Sequence, residues 1–296
     1  MTRPPGRPYG WPVTGTALAL VLGAAVIHAT WNAMAKGARD SMAMLWWASV
    51  LSSLFLAPPA LYVLARDGVS PSALPFVVAT VMLHSVYFFV LGKAYQLGDF
   101  SLVYPMARGL GVALVPAGAF YFFDERLSAL GILGIALILA GIFALHWRRG
   151  AWREDALFKP GTGWAVATGL CIASYSLVDK VGVSHINPLP YLWAMMIGCC
   201  FSLLPPVLAR RGSLAREWRE NRVAVLLSGV LSPGGYLLVL FAFRLSKAGY
   251  VVAGREVSIV ISALIGSILL KEGALGQRLL GAAIVAAGVV CVALAR

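Results

Sequence analysis

The sequence predicts an all-α polytopic membrane protein, with ten transmembrane helices arranged as two inverted five-helix repeats. Three observations predict it. First, the 296 residues are 60% hydrophobic and 12% charged, where a soluble domain is usually ~45–50% apolar and ~25% charged. Second, the apolar residues collect into ten nearly uncharged runs, each long enough to cross a bilayer at ~20 residues per helix. Third, a shift of 147 residues lays Arg108 on Arg255, Glu125 on Glu272, Gly134 on Gly281 and Gly141 on Gly288. Five helices per repeat is an odd number. The second half therefore enters the membrane from the opposite face, the arrangement common among secondary transporters.

After an N-terminal tail (1–13), the first repeat spans 14–146. Run 14–35 carries His28, Asn32 and Lys36 at i, i+4 and i+8, with Trp31 beside them. These residues form a polar stripe on one face of an apolar helix, and such a face must turn toward the bundle interior or water. The alternative for His28 and Asn32 is hydrogen bonding between helices, worth ~0.6 kcal/mol per contact. Run 42–64 is plain hydrocarbon. Run 74–95 places His84 and Tyr87 three residues apart, near enough to share a face. Run 102–123 holds one charge, Arg108, with Tyr104 one turn before it and Pro105 and Pro116 as candidate kinks. Run 127–146 follows Glu125 and bears Gly134 and Gly141 on one face, a pattern that suits close helix packing.

An inter-repeat loop (147–161) leads to the second repeat, 162–296. In run 162–182, "YSLVDK" faces "WNAMAK" of the first repeat, matching Tyr175 to an aromatic and Lys180 to Lys36. Both lysines stand at span ends, where snorkelling accounts for them. Run 189–209 is again plain. Run 223–243 contains "SPGGY", another candidate kink, and run 248–270 contains Arg255 followed by Glu256. Run 275–294 repeats the glycine face with Gly281 and Gly288. Cys171, Cys199, Cys200 and Cys291 lie within apolar runs without metal-ligand spacing and read as small hydrophobes. Arg3 and Arg7 ahead of an apolar run imitate a signal peptide, but an uncleaved first helix keeps all ten spans.

Arginine within a membrane helix costs ~2.5–3.5 kcal/mol on insertion scales, so the pair costs roughly 5–7 kcal/mol unless relieved. By inverted symmetry Arg108 and Arg255 should straddle the midplane, one toward each entrance. A guanidinium grips phosphate, phosphonate or carboxylate through two parallel hydrogen bonds. The alternative is that each arginine neutralises a carboxylate, and Glu256 is at hand. Glu256 is also the candidate proton-coupling site, with a salt-bridged structural role as its alternative. The substrate-binding candidates are thus Arg108, Arg255, Tyr104, His28, Trp31, Asn32, Tyr175, His84 and Tyr87.

These features resemble a known family. Ten helices in two halves, Glu125 and Glu272 before the last helix of each, and "LILAG" at 137–141 resemble the drug/metabolite transporter superfamily, specifically its EamA group. "HATWNAMAK" (28–36) and "YPMARG" (104–109) resemble one subgroup of it. The resemblance covers the full length. It implies that the fourth and ninth helices, which hold Arg108 and Arg255, line a central cavity. It further implies a transporter of small polar metabolites in the cell (inner) membrane, working by alternating access, with both termini cytoplasmic. The charge count alone favours the opposite orientation, because the basic loops 147–159 and 210–222 outweigh the side of the tails.

The residues themselves point to an organic anion as cargo. Within the same family, export of amino acids or drug-like compounds is the alternative. A membrane-embedded enzyme using His28, His84 or Glu256 is the reading from another class, against which stand the absence of an HExxH motif and of a phosphate loop. No cofactor or metal is expected. The formal charge of +12 is spread over short loops, so membrane topology explains it and nucleic acid is not expected. The expected partners are a small-molecule substrate and the lipid bilayer. Protons are the candidate coupling ion, and glycine-faced helices would serve a homodimer as readily as packing within one chain.

Overall fold

In hydrocarbon a backbone amide finds no water, so a long apolar run must satisfy its own hydrogen bonds as a helix. The computed structural model describes residues 14–35, 38–97, 100–146, 160–210, 212–261 and 275–295. Nine of the ten runs fall in a helix there, and the described part of run 248–270 is helical to 255: α1 (Gly15–Ala35), α2 (Ser41–Asp67), α3 (Leu74–Leu97), α4 (Phe100–Phe123), α5 (Ala129–His146), α6 (Pro160–His185), α7 (Pro188–Leu208), α8 (Ser213–Leu245), α9 (Ala248–Arg255) and α10 (Leu275–Leu294). Six of them, α2, α3, α4, α6, α7 and α8, are long and apolar enough by themselves to cross a membrane. The protein is all-α and multi-pass. Lys36, Glu272 and the loop 147–159 lie outside the described residues, as does the side chain of Asn32.

The connections sort into two ends. At end A, Ser72 meets His185 (3.1 Å) and Glu125 meets the N–H of Ala248 (2.8 Å). At end B, Arg210 meets Asp40 (3.3 Å), and Glu217 accepts the backbone N–H groups of Arg39 (3.1 Å) and Asp40 (3.0 Å). Local chemistry fixes the helix starts: Asp40 caps α2 by accepting from Met42 and Ala43, and Asn187 caps α7 by accepting from Leu189. The expected kinks fall elsewhere. The backbone of α8 stays helical through Pro233 and departs from helix at Asn221, and α4 is continuous past Pro105 and Pro116. Asn221 therefore separates the amphipathic stretch 213–220 from the apolar crossing that follows.

Across the bundle, α1 packs on α8 and α3 on α6; α4 packs on α6 and α1 on α9; α2 packs on α8 and α3 on α7; α2 pairs with α7, and α5 with α10. Exchanging each helix for the one five places later maps these pairs onto themselves. The α5–α10 seam shows the same relation atom by atom. A Cβ on Gly134 would stand 2.7 Å from the Gly288 carbonyl, and one on Gly141 would stand 2.9 Å from the Gly281 carbonyl. The glycine faces are thus consumed inside one chain.

Candidate functional site

α9 enters from end A and runs for only eight residues before its ladder tightens. The N–H of Glu256 bonds to Ala253, three residues back, a 3₁₀-type contact that interrupts α-helical spacing. Residues 257–261 are helical again. The interruption falls on Arg255 and Glu256, and discontinuous helices of this kind mark midplane sites in transporters. α4 enters from end B. Arg108 lies eight residues past Phe100, and Arg255 seven past Ala248. At ~1.5 Å per residue both guanidinium groups reach about 10–12 Å inward, from opposite ends.

They meet on one carboxylate instead of standing one at each entrance. Arg108 forms a fork to Glu256, with Nε to Oε2 at 2.9 Å and Nη2 to Oε1 at 2.8 Å. Such two-pronged, charge-assisted bonds are the strong ones. Arg255 touches the same carboxylate loosely, Nε lying 3.9 Å from Oε1, as expected of neighbours in sequence that point about 100° apart. Arg255 is 3% exposed and Glu256 1%. Nε and Nη2 of Arg255 are buried without a hydrogen-bond partner among the described residues. Two guanidinium groups share one carboxylate, so one positive charge is left over.

His28 lies in the electrostatic neighbourhood of both arginines. Trp31 donates its indole N–H to His28 Nδ1 (3.0 Å). An indole can only donate, so Nδ1 accepts and the neutral ring carries its proton on Nε2. That Nε2 is buried and has no partner among the described residues. Gly235 of α8 lets the ring in: a Cβ there would sit 3.3 Å from His28 Cε1.

Tyr175 of α6 gathers the aromatic candidates, with ring centroids 4.3 Å from His84 and 5.4 Å from Tyr87. His84 is fixed by Thr80, whose carbonyl lies 3.0 Å from Nδ1 and can only accept. Arg255 has Tyr175, Tyr236 and Arg108 within electrostatic reach, and Tyr104 lies within reach of Arg108 and Glu256. Apart from Asn32, all the sequence candidates therefore converge on one midplane region. The described residues contain no group of three or more His, Cys, Asp or Glu placed to hold a metal.

Sequence reasoning missed two features. The first is Asp179, fully buried, whose carboxylate accepts the hydroxyl of Tyr191 (2.7 Å) and that of Tyr236. Its position beside a span-end lysine in "YSLVDK" disguised it as an interfacial residue. The second is Lys180, which does not snorkel. It is 7% exposed and turns inward, donating to the carbonyls of Phe243 (2.5 Å) and Ser246 (2.7 Å), with Glu125 at 3.6 Å.

Glu125 reaches Lys180 because the chain turns sharply at the end of α4. Asp124 takes a positive φ of 52° and the N–H of Glu125 bonds back to Ala119. Burial pushes the Glu125 carboxyl above the usual range, while Lys180 and the Ala248 N–H pull it back. Replacing Lys180 with Met should lower the melting temperature sharply, since removing one partner of a buried pair costs roughly 3–5 kcal/mol. Thermal melts in detergent read this directly.

The EamA-like transporter family model matches residues 159–294, and the Small Multidrug Resistance protein model matches residues 63–138. Multidrug resistance protein EbrA of Bacillus atrophaeus is 32% identical over 78 residues, 26% of this chain and 70% of the relative. The chain belongs to the drug/metabolite transporter superfamily. The nicotine metabolites export pump subunit NepA of Paenarthrobacter nicotinovorans is 32% identical over 73 residues, which cover 63% of that relative. YvaE, an uncharacterised membrane protein of Bacillus subtilis, is 35% identical over 63 residues and 53% of its length. A solved structure at 17% identity, with a TM-score of 0.75, covers 94% of this chain and 97% of that one, and so shows the fold alone. The family makes the chain a membrane transporter.

Proposed function

We propose that this protein is a secondary transporter of a small organic anion, and that Arg255 holds the carboxylate, phosphate or phosphonate of its cargo near the midplane. One observation carries the reading: two guanidinium nitrogens of Arg255 are buried without a partner among the described residues. A buried donor left unmade costs about 1–3 kcal/mol, and more when charged. A site that bears that cost is matched to a ligand that supplies acceptors. The unpartnered His28 Nε2 adds a third donor nearby. Arg108, saturated by Glu256, orients the carboxylate and receives the cargo only at its edge.

The symmetric helix pairing supports repeats at 14–146 and 162–296 that rock about this site; cytoplasmic termini and an inner-membrane location are what the family resemblance implies. Export of a drug-like cargo is the second reading. The ring cluster of His84, Tyr87, Tyr175 and Tyr236 favours it, because aromatic faces attract cations. The positive charge left over by Arg108, Arg255 and Glu256 opposes it.

Proteoliposome uptake of radiolabelled phosphonoacetate tests the anion reading. Arg255→Ala should weaken binding by at least about 30-fold, the equivalent of ~2 kcal/mol for a lost buried charge contact. Arg255→Lys should recover part of it, because it restores charge without the fork. Uptake of organic cations that ignores Arg255→Ala, with no anion transported, would sink the proposal.

A further inference from the structure

The buried carboxylates among the described residues are held differently. Glu256 lies on the fork of Arg108, and Glu125 faces Lys180. Glu217, at end B, accepts two backbone N–H groups and Asn221. Asp179 has neither kind of anchor. It sits inside α6 at 0% exposure, its two oxygens accepting the hydroxyls of Tyr191 on α7 and Tyr236 on α8. No ion pair to it is formed among the described residues. Facing it are His84 from α3, Tyr191 from α7 and Tyr236 from α8, and His84 and Tyr236 in turn lie within electrostatic reach of Arg255 from α9; the adjacent Lys180 turns away to Glu125.

We propose that Asp179 is the proton-binding site that couples transport to a pH gradient, with Tyr236 relaying its state to the Arg255 pocket. Glu256 cannot take a proton without giving up an ion pair with Arg108, whereas Asp179 can. The hydrogen-bond bookkeeping supplies the relay. Ionised, each Asp179 oxygen accepts one phenol O–H. When a proton from water binds, one oxygen becomes a donor, and the phenol opposite it must swing its own hydrogen away and accept. Tyr236 is the phenol placed to transmit this. Its ring contacts His84 (5.5 Å) and Tyr175 (6.3 Å), and it lies within electrostatic reach of Arg255.

Charge arithmetic then fixes the sign. With Asp179 ionised, Arg108, Arg255, Glu256 and Asp179 sum to zero. With Asp179 protonated they sum to +1, and an anion is welcome. Proton and anion therefore bind together and move in the same direction, and by reciprocity each raises the affinity for the other. Proton binding at Asp179 rests on the transporter reading but does not depend on the cargo being an anion.

Infrared titration of the full chain in liposomes tests this. A carboxylic-acid carbonyl band should appear on acidification, vanish in Asp179→Asn, change frequency in Asp179→Glu, and shift its midpoint in Tyr236→Phe. In liposomes loaded with a pH dye, phosphonoacetate uptake should carry protons inward in the wild type. Asp179→Asn should lose gradient-driven accumulation yet still exchange phosphonoacetate across the membrane. If Asp179→Asn fails to fold, the frequency change in Asp179→Glu carries the result. A band that survives Asp179→Asn, or that is unmoved in Asp179→Glu, overturns the assignment. A band that follows Asp179 while phosphonoacetate does not move upholds the proton site and rejects the anion reading instead.

Discussion

Replacing Glu256 with Gln should strip the protein of most of its stability, and removing Arg108 as well should give much of it back. The substitution conserves shape and deletes one negative charge. Arg108 then loses both prongs of its fork, at 2.9 and 2.8 Å. Arg255, already short of partners, loses the one carboxylate near it. Two guanidinium groups remain in a low-dielectric interior without the carboxylate they share. Breaking a buried pair by removing one partner typically costs ~3–5 kcal/mol, whereas replacing both partners is often neutral. In Arg108→Gln/Glu256→Gln the surplus returns to the single positive charge of Arg255, as in the wild type. Melting temperatures and elution profiles in detergent for the two singles and the double would give the cycle. The expected coupling between the sites is large, because they share one ion pair. Equal melting of Glu256→Gln and wild type would mean that the fork contributes nothing to stability. The double should still bind phosphonoacetate if Arg255 is the anion's anchor, which separates the stabilising role of Arg108 from the binding role of Arg255.

The helices were legible because the bilayer leaves a long apolar run no alternative, and within the described residues each run lies mostly in one of α1–α10. The convergence of Arg108, Arg255, Glu256, His28, His84 and Tyr175 was legible for a related reason: a polar group in an apolar helix has nowhere to face but inward. What did not show was the division of labour between the arginines. Sequence symmetry makes Arg108 and Arg255 equivalent, yet Glu256 has no acidic counterpart one repeat earlier, where Gly109 stands. That asymmetry is in the sequence, but only the side-chain geometry reveals that the carboxylate goes to the distant arginine and not to its neighbour. Asp179 and Lys180 were misjudged because depth was counted along a straight helix from the end of its apolar run. α6 continues to His185, beyond the run at 162–182, which draws both residues into the bundle. Asn221 broke α8 where a proline rule pointed to Pro233, because neighbouring helices hold a membrane proline in line.

Adding one methyl group to the α5–α10 seam should cost nearly as much as truncating a large core residue. In Gly134→Ala the new Cβ would lie 2.7 Å from the Gly288 carbonyl oxygen and 2.9 Å from the Val292 nitrogen. In Gly288→Ala it would lie 2.6 Å from the Gly134 carbonyl oxygen. Both obstacles are backbone, which cannot rotate aside as a side chain does, so the helices must separate. Overpacking typically costs about 1–3 kcal/mol, and more where the opposing surface is rigid. Membrane helices feel this sharply, since close backbone approach is itself a principal source of their association.

Gly234 supplies the control. It sits in the interior of α8 with nothing within 4 Å of an added Cβ, so Gly234→Ala should be neutral or stabilising by up to ~1 kcal/mol from helix propensity alone. Gly134→Ala and Gly288→Ala should each lower the melting temperature markedly. Their combination should cost less than the sum, because once the first methyl has parted the helices the second finds room. The contacts 134–288 and 141–281 are exchanged by the same shift of 147 residues. Gly141→Ala and Gly281→Ala should therefore reproduce the pattern at the other end of the seam, where the nearest backbone atoms stand at 2.8 and 2.9 Å. Four matched losses beside an unaffected Gly234→Ala would tie the seam to backbone contact; four neutral substitutions would mean that the helices are not as close as the geometry requires.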